Sequence, residues 1–85
     1  MELRFTKSFD LDYIKLTKGN RILQKRIRKQ FHRLRQQTNH PSLRLHKIQS
    51  SRYWSISIDK SIRVLLIFEK ELIYIYHIGK HEDVY

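Results

Sequence analysis

The sequence has 85 residues, carries a formal net charge of +10 and contains no cysteine. A chain of this length allows a single domain with one modest hydrophobic core, and the lack of cysteine excludes a disulfide framework and a cysteine-based zinc site. The longest apolar run is too short to span a bilayer and no signal-peptide pattern is present, so the sequence predicts a cytoplasmic protein without a membrane partner.

The positive charge is concentrated in the middle of the chain. No acidic residue occurs between positions 13 and 58, whereas twelve lysines and arginines do. A basic surface of this kind favours a polyanionic partner. Because no strongly apolar helix face accompanies the charge, nucleic acid is favoured over a membrane surface.

A strand and a short helix are predicted before Gly19. Leu3 and Phe5 alternate with polar residues over positions 2–6, which is typical of a half-buried strand. Asp10 can cap a short helix, and Gly19 suits the left-handed conformation that ends it. The apolar residues of this helix are Leu11, Ile14 and Leu16.

A second, longer helix is predicted from Arg21 to about Gln37, with Asn20 as its cap and Pro41 beyond its end. Its apolar stripe, at spacings of four, four and three residues, consists of Leu23, Ile27, Phe31 and Leu34. The other faces are basic and lack acidic partners at i±4. The helix therefore depends on packing and on an external anion for its stability.

Four strands are predicted after the proline. The runs rich in β-branched and aromatic residues cover residues 43–48, 52–58, 62–68 and 72–78. The links between the last three runs are short enough for hairpins. Residues 1–85 are therefore predicted to form one α+β domain, with an N-terminal strand, a two-helix hairpin and a four-strand antiparallel meander packed on the helices.

The third predicted strand indicates that the sheet has two different faces. The apolar residues at positions 54, 56 and 58 fall on one face, and Tyr53 falls on the other face together with two serines. On the next strand, Arg63 has the opposite parity to its apolar neighbours, which favours the less covered face. An arginine among apolar strand residues needs an anion.

Titratable side chains that could carry chemistry occur in two places. The final segment, IGKHEDVY, holds Lys80, His81 and Tyr85, although its local sequence alone fits a polar, frayed terminus better. His46 and Lys47 place a titratable group beside a permanent cation on the second strand. The histidines lack a compact metal-ligand spacing and glycine-rich phosphate loops are absent, so neither a metal nor a cofactor is predicted.

The element order and two motifs resemble the RelE/ParE superfamily of bacterial toxins. The motifs are SIRVL at residues 61–65 and HEDVY at residues 81–85. Residues 3–9 and 43–48 are similar to the family's first strand and to the strand that follows its helical hairpin. The resemblance covers the whole chain and implies an endonuclease that cleaves mRNA on the ribosome, contacts ribosomal RNA and is neutralised by a cognate antitoxin.

The resemblance also implies individual roles. The arginine of the family's strand motif falls on Arg63, and the histidine and aromatic residue of YafQ-like endings fall on His81 and Tyr85. In metal-free RNA cleavage the 2′-hydroxyl attacks the adjacent phosphorus, so we expect Arg63 to stabilise the phosphate and His81 to act as acid or base. Tyr85 is expected to stack on or orient a nucleotide. His46, which also matches YafQ-like members, and Lys47 are expected to supply the complementary proton transfer or charge.

The remaining expectations concern binding and alternative functions. The further cations expected to bind RNA are Lys25, Arg26, Lys29, Arg33, Arg44, Arg52 and Lys80. Ser55 departs from many relatives, which have a second arginine there; Lys47, Arg44 or Arg52 could replace it. Two other functions fit the sequence: a ParE-like toxin that inhibits a topoisomerase and cleaves nothing, and a non-catalytic nucleic-acid-binding protein. The histidine and tyrosine of the ending argue against the ParE-like toxin.

Overall fold

Five strands and two α-helices form the fold, which a computed structural model describes over residues 1–81. The elements in chain order are β1 (Glu2–Phe5), α1 (Lys7–Thr17), α2 (Arg21–Gln36), a 3-10 turn (Pro41–Leu43), β2 (His46–Lys47), β3 (Trp54–Ser57), β4 (Ile62–Glu69) and β5 (Leu72–Lys80). Within residues 1–81, no helix is both long enough and apolar enough to cross a membrane.

The strands make one mixed sheet in the order β1-β5-β4-β3-β2. Neighbouring strands from β2 to β5 pair antiparallel, which confirms the predicted α+β meander. β1 lies parallel to β5, with Leu3 beside Ile73 and Phe5 beside Ile75. The first strand therefore joins the sheet only through a strand about 70 residues further along the chain.

One face of the sheet packs against both helices, where Phe9 of α1 and Ile27 and Leu34 of α2 are buried. The sheet residues buried on this face are Ile56, Val64, Leu66, Ile73, Ile75 and Ile78. The opposite face of β3, β4 and β5, called the open face below, carries Ser55, Ser57, Arg63, Leu65, Ile67 and Tyr74. Tyr76, at the register shift of β5, and Tyr53, just before β3, lie on the same face, because the Tyr76 ring contacts the rings of both Tyr74 and Tyr53. This arrangement confirms the two faces predicted from strand alternation.

Helix α1 differs from its prediction in its cap and in its buried face. Thr6, not Asp10, is the N-cap, and its Oγ1 accepts a hydrogen bond from the Phe9 N–H at 3.1 Å. Leu11 and Ile14 are 60% and 66% exposed. The residues of α1 that pack on the core, four and three positions apart, are Phe9, Tyr13 and Leu16. The exposed pair Leu11 and Ile14 is also at a helical spacing, so the position of the sheet decides which apolar residues of α1 are buried.

Helix α2 begins as predicted and differs at one buried position. Asn20 Oδ1 accepts a hydrogen bond from the Leu23 N–H at 3.0 Å, and Gly19 has a left-handed φ of 70°. Gln30 is buried, whereas Phe31 is half-buried at the edge of the core. A buried amide needs hydrogen-bond partners, so Gln30 is expected to make polar contacts where α2 packs on the rest of the protein.

Strand β2 is much shorter than the predicted strand at residues 43–48. Leu43 is buried in the 3-10 turn, and Arg44 has a left-handed φ of 48°. This conformation interrupts the extended backbone, so pairing with β3 begins only at His46.

Thr6→Ala is expected to lower the free energy of unfolding by about 2 kcal/mol. Thr6 Oγ1 accepts from the Phe9 N–H and also donates to the Tyr76 carbonyl oxygen at 3.0 Å, so the substitution removes a cap and a link between α1 and β5. Urea unfolding measures the change, with Thr38→Ala in a loop as the control. Equal stabilities of the two variants would show that the cap contributes nothing.

Candidate nucleic-acid interface

Arg63 lies on the open face of β4, between Ser57 of β3 and Gly79 of β5. Both neighbours are small, so the adjacent strands leave lateral room for a guanidinium. The side chain is half-buried, and one terminal nitrogen of the guanidinium is screened from solvent. A partly desolvated cation attracts an anion more strongly than a cation surrounded by water.

His81 lies just beyond β5, at the same end of the open face. Its backbone N–H donates to the Ser61 carbonyl oxygen at 2.8 Å. His81 is two residues after Gly79, the strand partner of Arg63, and it lies beyond the last pair of the β4–β5 ladder. Residues at diagonal positions of neighbouring strands have Cα atoms about 7–8 Å apart, a spacing at which an arginine and a histidine can reach one phosphate.

His46 begins β2 and pairs with Ser55 of β3 on the open face. Its Nδ1 lies 3.2 Å from the Arg44 carbonyl oxygen. Since a carbonyl can only accept a hydrogen bond, Nδ1 is the donor in this contact, which holds the ring against the backbone just before β2. Ser55 itself is fully buried, so β3 presents no exposed side chain at this point.

The structure does not bring every predicted site residue to this face. Lys47 pairs with Trp54 and Lys80 pairs with Ile62, so both lysines project from the opposite side of their strands to Arg63. Tyr85 lies outside the described residues. Within residues 1–81, no three histidine, cysteine, aspartate or glutamate side chains come together in a way that could hold a metal ion.

Five cations line an open groove of about 710 Å³ between α2 and the loop that joins β3 to β4. The cations of this basic groove are Arg26, Lys29, Arg33, Arg44 and Lys60. Asp59 is the one acidic residue among the described residues that line it, so the groove has a strong net positive charge. Ser57, the strand partner of Arg63, also lines the groove, which therefore adjoins the open face.

A buried glutamine positions one of these cations. Gln30 Nε2 donates to the Ser57 carbonyl oxygen at 2.7 Å, and Gln30 Oε1 accepts from the Arg33 guanidinium at 3.0 Å. Arg33 also donates to Ser42 Oγ at 2.9 Å. These acceptors are neutral, so they orient the guanidinium without cancelling its charge. An oriented cation loses less conformational entropy when it binds an anion.

Asp59 fixes the loop on the other side of the basic groove. Its Oδ1 accepts hydrogen bonds from the N–H groups of Ser61 and Ile62 at 2.9 and 2.8 Å, and its Oδ2 lies 3.6 Å from the Arg26 guanidinium. The carboxylate is thus engaged by the turn and by one arginine. The other four cations of the groove keep their charge available to a ligand.

Some of the groove residues were expected from the sequence and others were not. Arg26, Lys29, Arg33 and Arg44 were expected to bind RNA and they line the groove, whereas Lys25 and Arg52 are exposed outside its lining. The groove residues not expected from the sequence include Gln30, Ser42, Asp59 and Lys60. Gln30 could have been found from the sequence, because it lies three residues after Ile27 and four before Leu34, on the apolar stripe of α2.

Solved structures of bacterial toxins have the same architecture. A metal-bound toxin from Helicobacter pylori matches with a TM-score of 0.80 and 17% identity, over 100% of this chain and 99% of that chain. YafQ from E. coli matches with a TM-score of 0.81 and 15% identity, over 99% and 97% of the two chains. A YoeB/ParE toxin from Agrobacterium tumefaciens gives 0.79 and 15%, over 95% and 99%.

No family model and no curated protein matches the chain. Each structural match nevertheless covers almost all of this chain and almost all of the matched toxin. They confirm the architecture that the sequence motifs implied, with an N-terminal strand, two helices and the strands of one mixed sheet. The chain has the fold of the RelE/ParE toxin superfamily.

Proposed function

We propose that this chain is the toxin of a type II toxin–antitoxin system and that it cleaves mRNA on the ribosome. The proposal is supported by Arg63 and His46 on the open face, by His81 directly after β5 at the Arg63 end of that strand, and by a groove lined by five cations. One arginine and two imidazoles supply the charge and the proton transfers that cleavage of a phosphodiester needs. The fold that the chain shares with YafQ and with YoeB supports the same assignment.

The proposed reaction is an internal displacement at phosphorus. One imidazole removes the proton of a 2′-hydroxyl, and the oxygen attacks the adjacent phosphorus to form a 2′,3′-cyclic phosphate. The bond to the 5′-oxygen breaks, and the second imidazole, protonated at the start, gives that oxygen a proton. Arg63 stabilises the charge that develops on the phosphate oxygens, for which its planar fork of donors is suited.

The basic groove is the proposed binding site for RNA backbone that continues from the open face. Phosphate contacts of this kind fix the position of the RNA without reading its sequence. Lys60, which the sequence did not single out, joins Arg26, Lys29, Arg33 and Arg44 in this role. The groove therefore holds the RNA, while the open face carries out the chemistry.

A cognate antitoxin is the proposed protein partner. YafQ has been solved in complex with DinJ, and YoeB in complex with YefM. The net charge of +10 favours an acidic segment of the antitoxin as the part that contacts this chain. A segment bound to the basic groove or to the open face would prevent RNA from reaching the same cations.

Mapping of mRNA ends after induced expression tests the proposed function. We expect primer extension to reveal cuts within translated messages, and we expect Arg63→Ala and His81→Ala to abolish them. Arg4→Ala and His32→Ala, at exposed positions of β1 and α2, are matched controls that should preserve the cuts.

Two outcomes would contradict the proposed function, and a third would contradict the assigned site. Filamentation and growth arrest without mRNA cuts would favour inhibition of a topoisomerase. No effect on growth would favour a non-catalytic nucleic-acid-binding protein. Unchanged cleavage by the Arg63 and His81 variants would overturn the assignment of the site and leave the fold untouched.

A further inference from the structure

Three tyrosines form a cluster on the open face, further along the strands from Arg63. The rings of Tyr53 and Tyr76 meet edge to face with centroids 5.7 Å apart, and those of Tyr74 and Tyr76 are 6.3 Å apart. Tyr74 is paired with Ile67 across β4 and β5. The three residues, called the tyrosine patch below, lie on the side of the sheet away from the hydrophobic core.

The tyrosine patch covers an apolar residue and still presents ring surface to solvent. Ile67 is only 6% exposed, yet it is not part of the core cluster, because it is buried on the open face. Each of the three tyrosines is half-buried. Aliphatic side chains would cover Ile67 as well, so three aromatic rings exceed what packing requires.

The tyrosine patch is also in line with the candidate cleavage site. Arg63 and Ile67 are four residues apart on β4, a separation of about 13 Å. A single-stranded RNA with one phosphate at Arg63 can therefore lay a nearby base over the tyrosines. Aromatic side chains on a sheet face bind unstacked bases in this manner in RNA-recognition domains.

We infer that the tyrosine patch is a stacking platform for an unpaired base of the RNA next to the cleaved bond. The inference deepens the proposed function and rests on it for the identity of the RNA. Charge favours RNA over an apolar protein segment, since Arg63 shares this face and the basic groove adjoins it. Every base has an aromatic face, so the patch contributes affinity and position rather than a choice of base.

Binding of a short single-stranded RNA that carries 2-aminopurine tests this inference. Its 2′-hydroxyl groups are methylated, so the proposed cleavage cannot occur. We expect the wild-type protein to quench the fluorescence and Tyr76→Leu, which keeps an apolar cover over Ile67, to bind about tenfold more weakly with the quenching lost. Tyr76→Phe retains the ring and is the matched control, expected to behave like the wild type.

Salt dependence distinguishes stacking from a loss of charge contacts. The slope of log affinity against log salt concentration is expected to be the same for Tyr76→Leu and the wild type, because no phosphate contact is removed. A shallower slope in the leucine variant would mean that the substitution disturbs the cations, and it would overturn the inference. Tyr74→Leu provides a second variant, and thermal unfolding verifies that each protein is folded.

The two proposals fail in different ways. Wild-type binding and quenching by both leucine variants would overturn the stacking platform and leave the tyrosines as a cover for Ile67. RNA binding with quenching by a protein that leaves cellular mRNA intact would contradict the nuclease alone. Cleavage of mRNA by a protein that does not quench the fluorescence would contradict the stacking platform alone.

Discussion

Arg63→Ala is expected to lower the rate of mRNA cleavage about 100- to 1,000-fold, the usual effect of removing one donor that stabilises transition-state charge. Arg63 is half-buried between two small strand neighbours, so no other side chain of those two positions can take over its contact with the phosphate. Single-turnover cleavage of mRNA on purified ribosomes measures the rate. Thermal unfolding verifies that the variant is folded.

Two further variants make this experiment specific. Arg63→Lys keeps the charge but loses the planar fork of donors, so we expect a rate between those of the wild type and Arg63→Ala. Arg52→Ala removes an exposed arginine outside the basic groove and is expected to retain most of the activity. A cleavage rate for Arg63→Ala close to that of the wild type would show that another group stabilises the phosphate.

The double variant Lys29→Ala/Lys60→Ala is expected to weaken RNA binding and to reduce the magnitude of the salt slope by about 2, one for each lost phosphate contact. These lysines stand on opposite sides of the basic groove, one on α2 and the other in the loop between β3 and β4. Titration of a labelled RNA at several salt concentrations measures both quantities. The positions of the cuts in mRNA are expected to stay the same, because the contacts carry no sequence information.

Lys7→Ala/Lys15→Ala is the matched control for the groove, since it removes the same charge from α1. These two lysines are exposed and lie outside the groove lining. We expect this control to change the salt slope much less than the groove variant does. Equal effects of the two double variants would mean that RNA binding depends on the overall charge of the protein and not on the groove.

The parts of the fold that depend on local sequence are those that the sequence predicted well. Asn20 caps α2 and Gly19 takes a left-handed conformation, because both features depend on residues within one turn. The faces of β3 and β4 followed from strict alternation. The parallel pairing of β1 with β5 joins distant segments, and no local pattern specifies it. For the buried face of α1, the prediction was right for Leu16 and wrong for Leu11 and Ile14, because more than one set of apolar residues fits the helical period.

In the candidate site, too, the features set by local sequence were predictable and those set by contacts between distant segments were not. Alternation placed Arg63 on the open face, as the structure does. The same rule could have excluded one of His46 and Lys47 from that face, since neighbouring residues of a strand point to opposite sides. The basic groove depends on the distance between α2 and the loop after β3. Its arginines could therefore be predicted from the sequence, whereas Lys60 and the contacts of Gln30 could not.

The pairing of β1 with β5 has a consequence for the synthesis of the protein. A ribosome extends a chain at about 5–20 residues per second, so β1 waits roughly 3–14 s before its partner strand exists. Until then the growing chain lacks Ile73 and Ile75 of the core and Gly79 beside Arg63. If the protein is the nuclease proposed here, an unfinished copy has no assembled site with which to attack the ribosome that is making it.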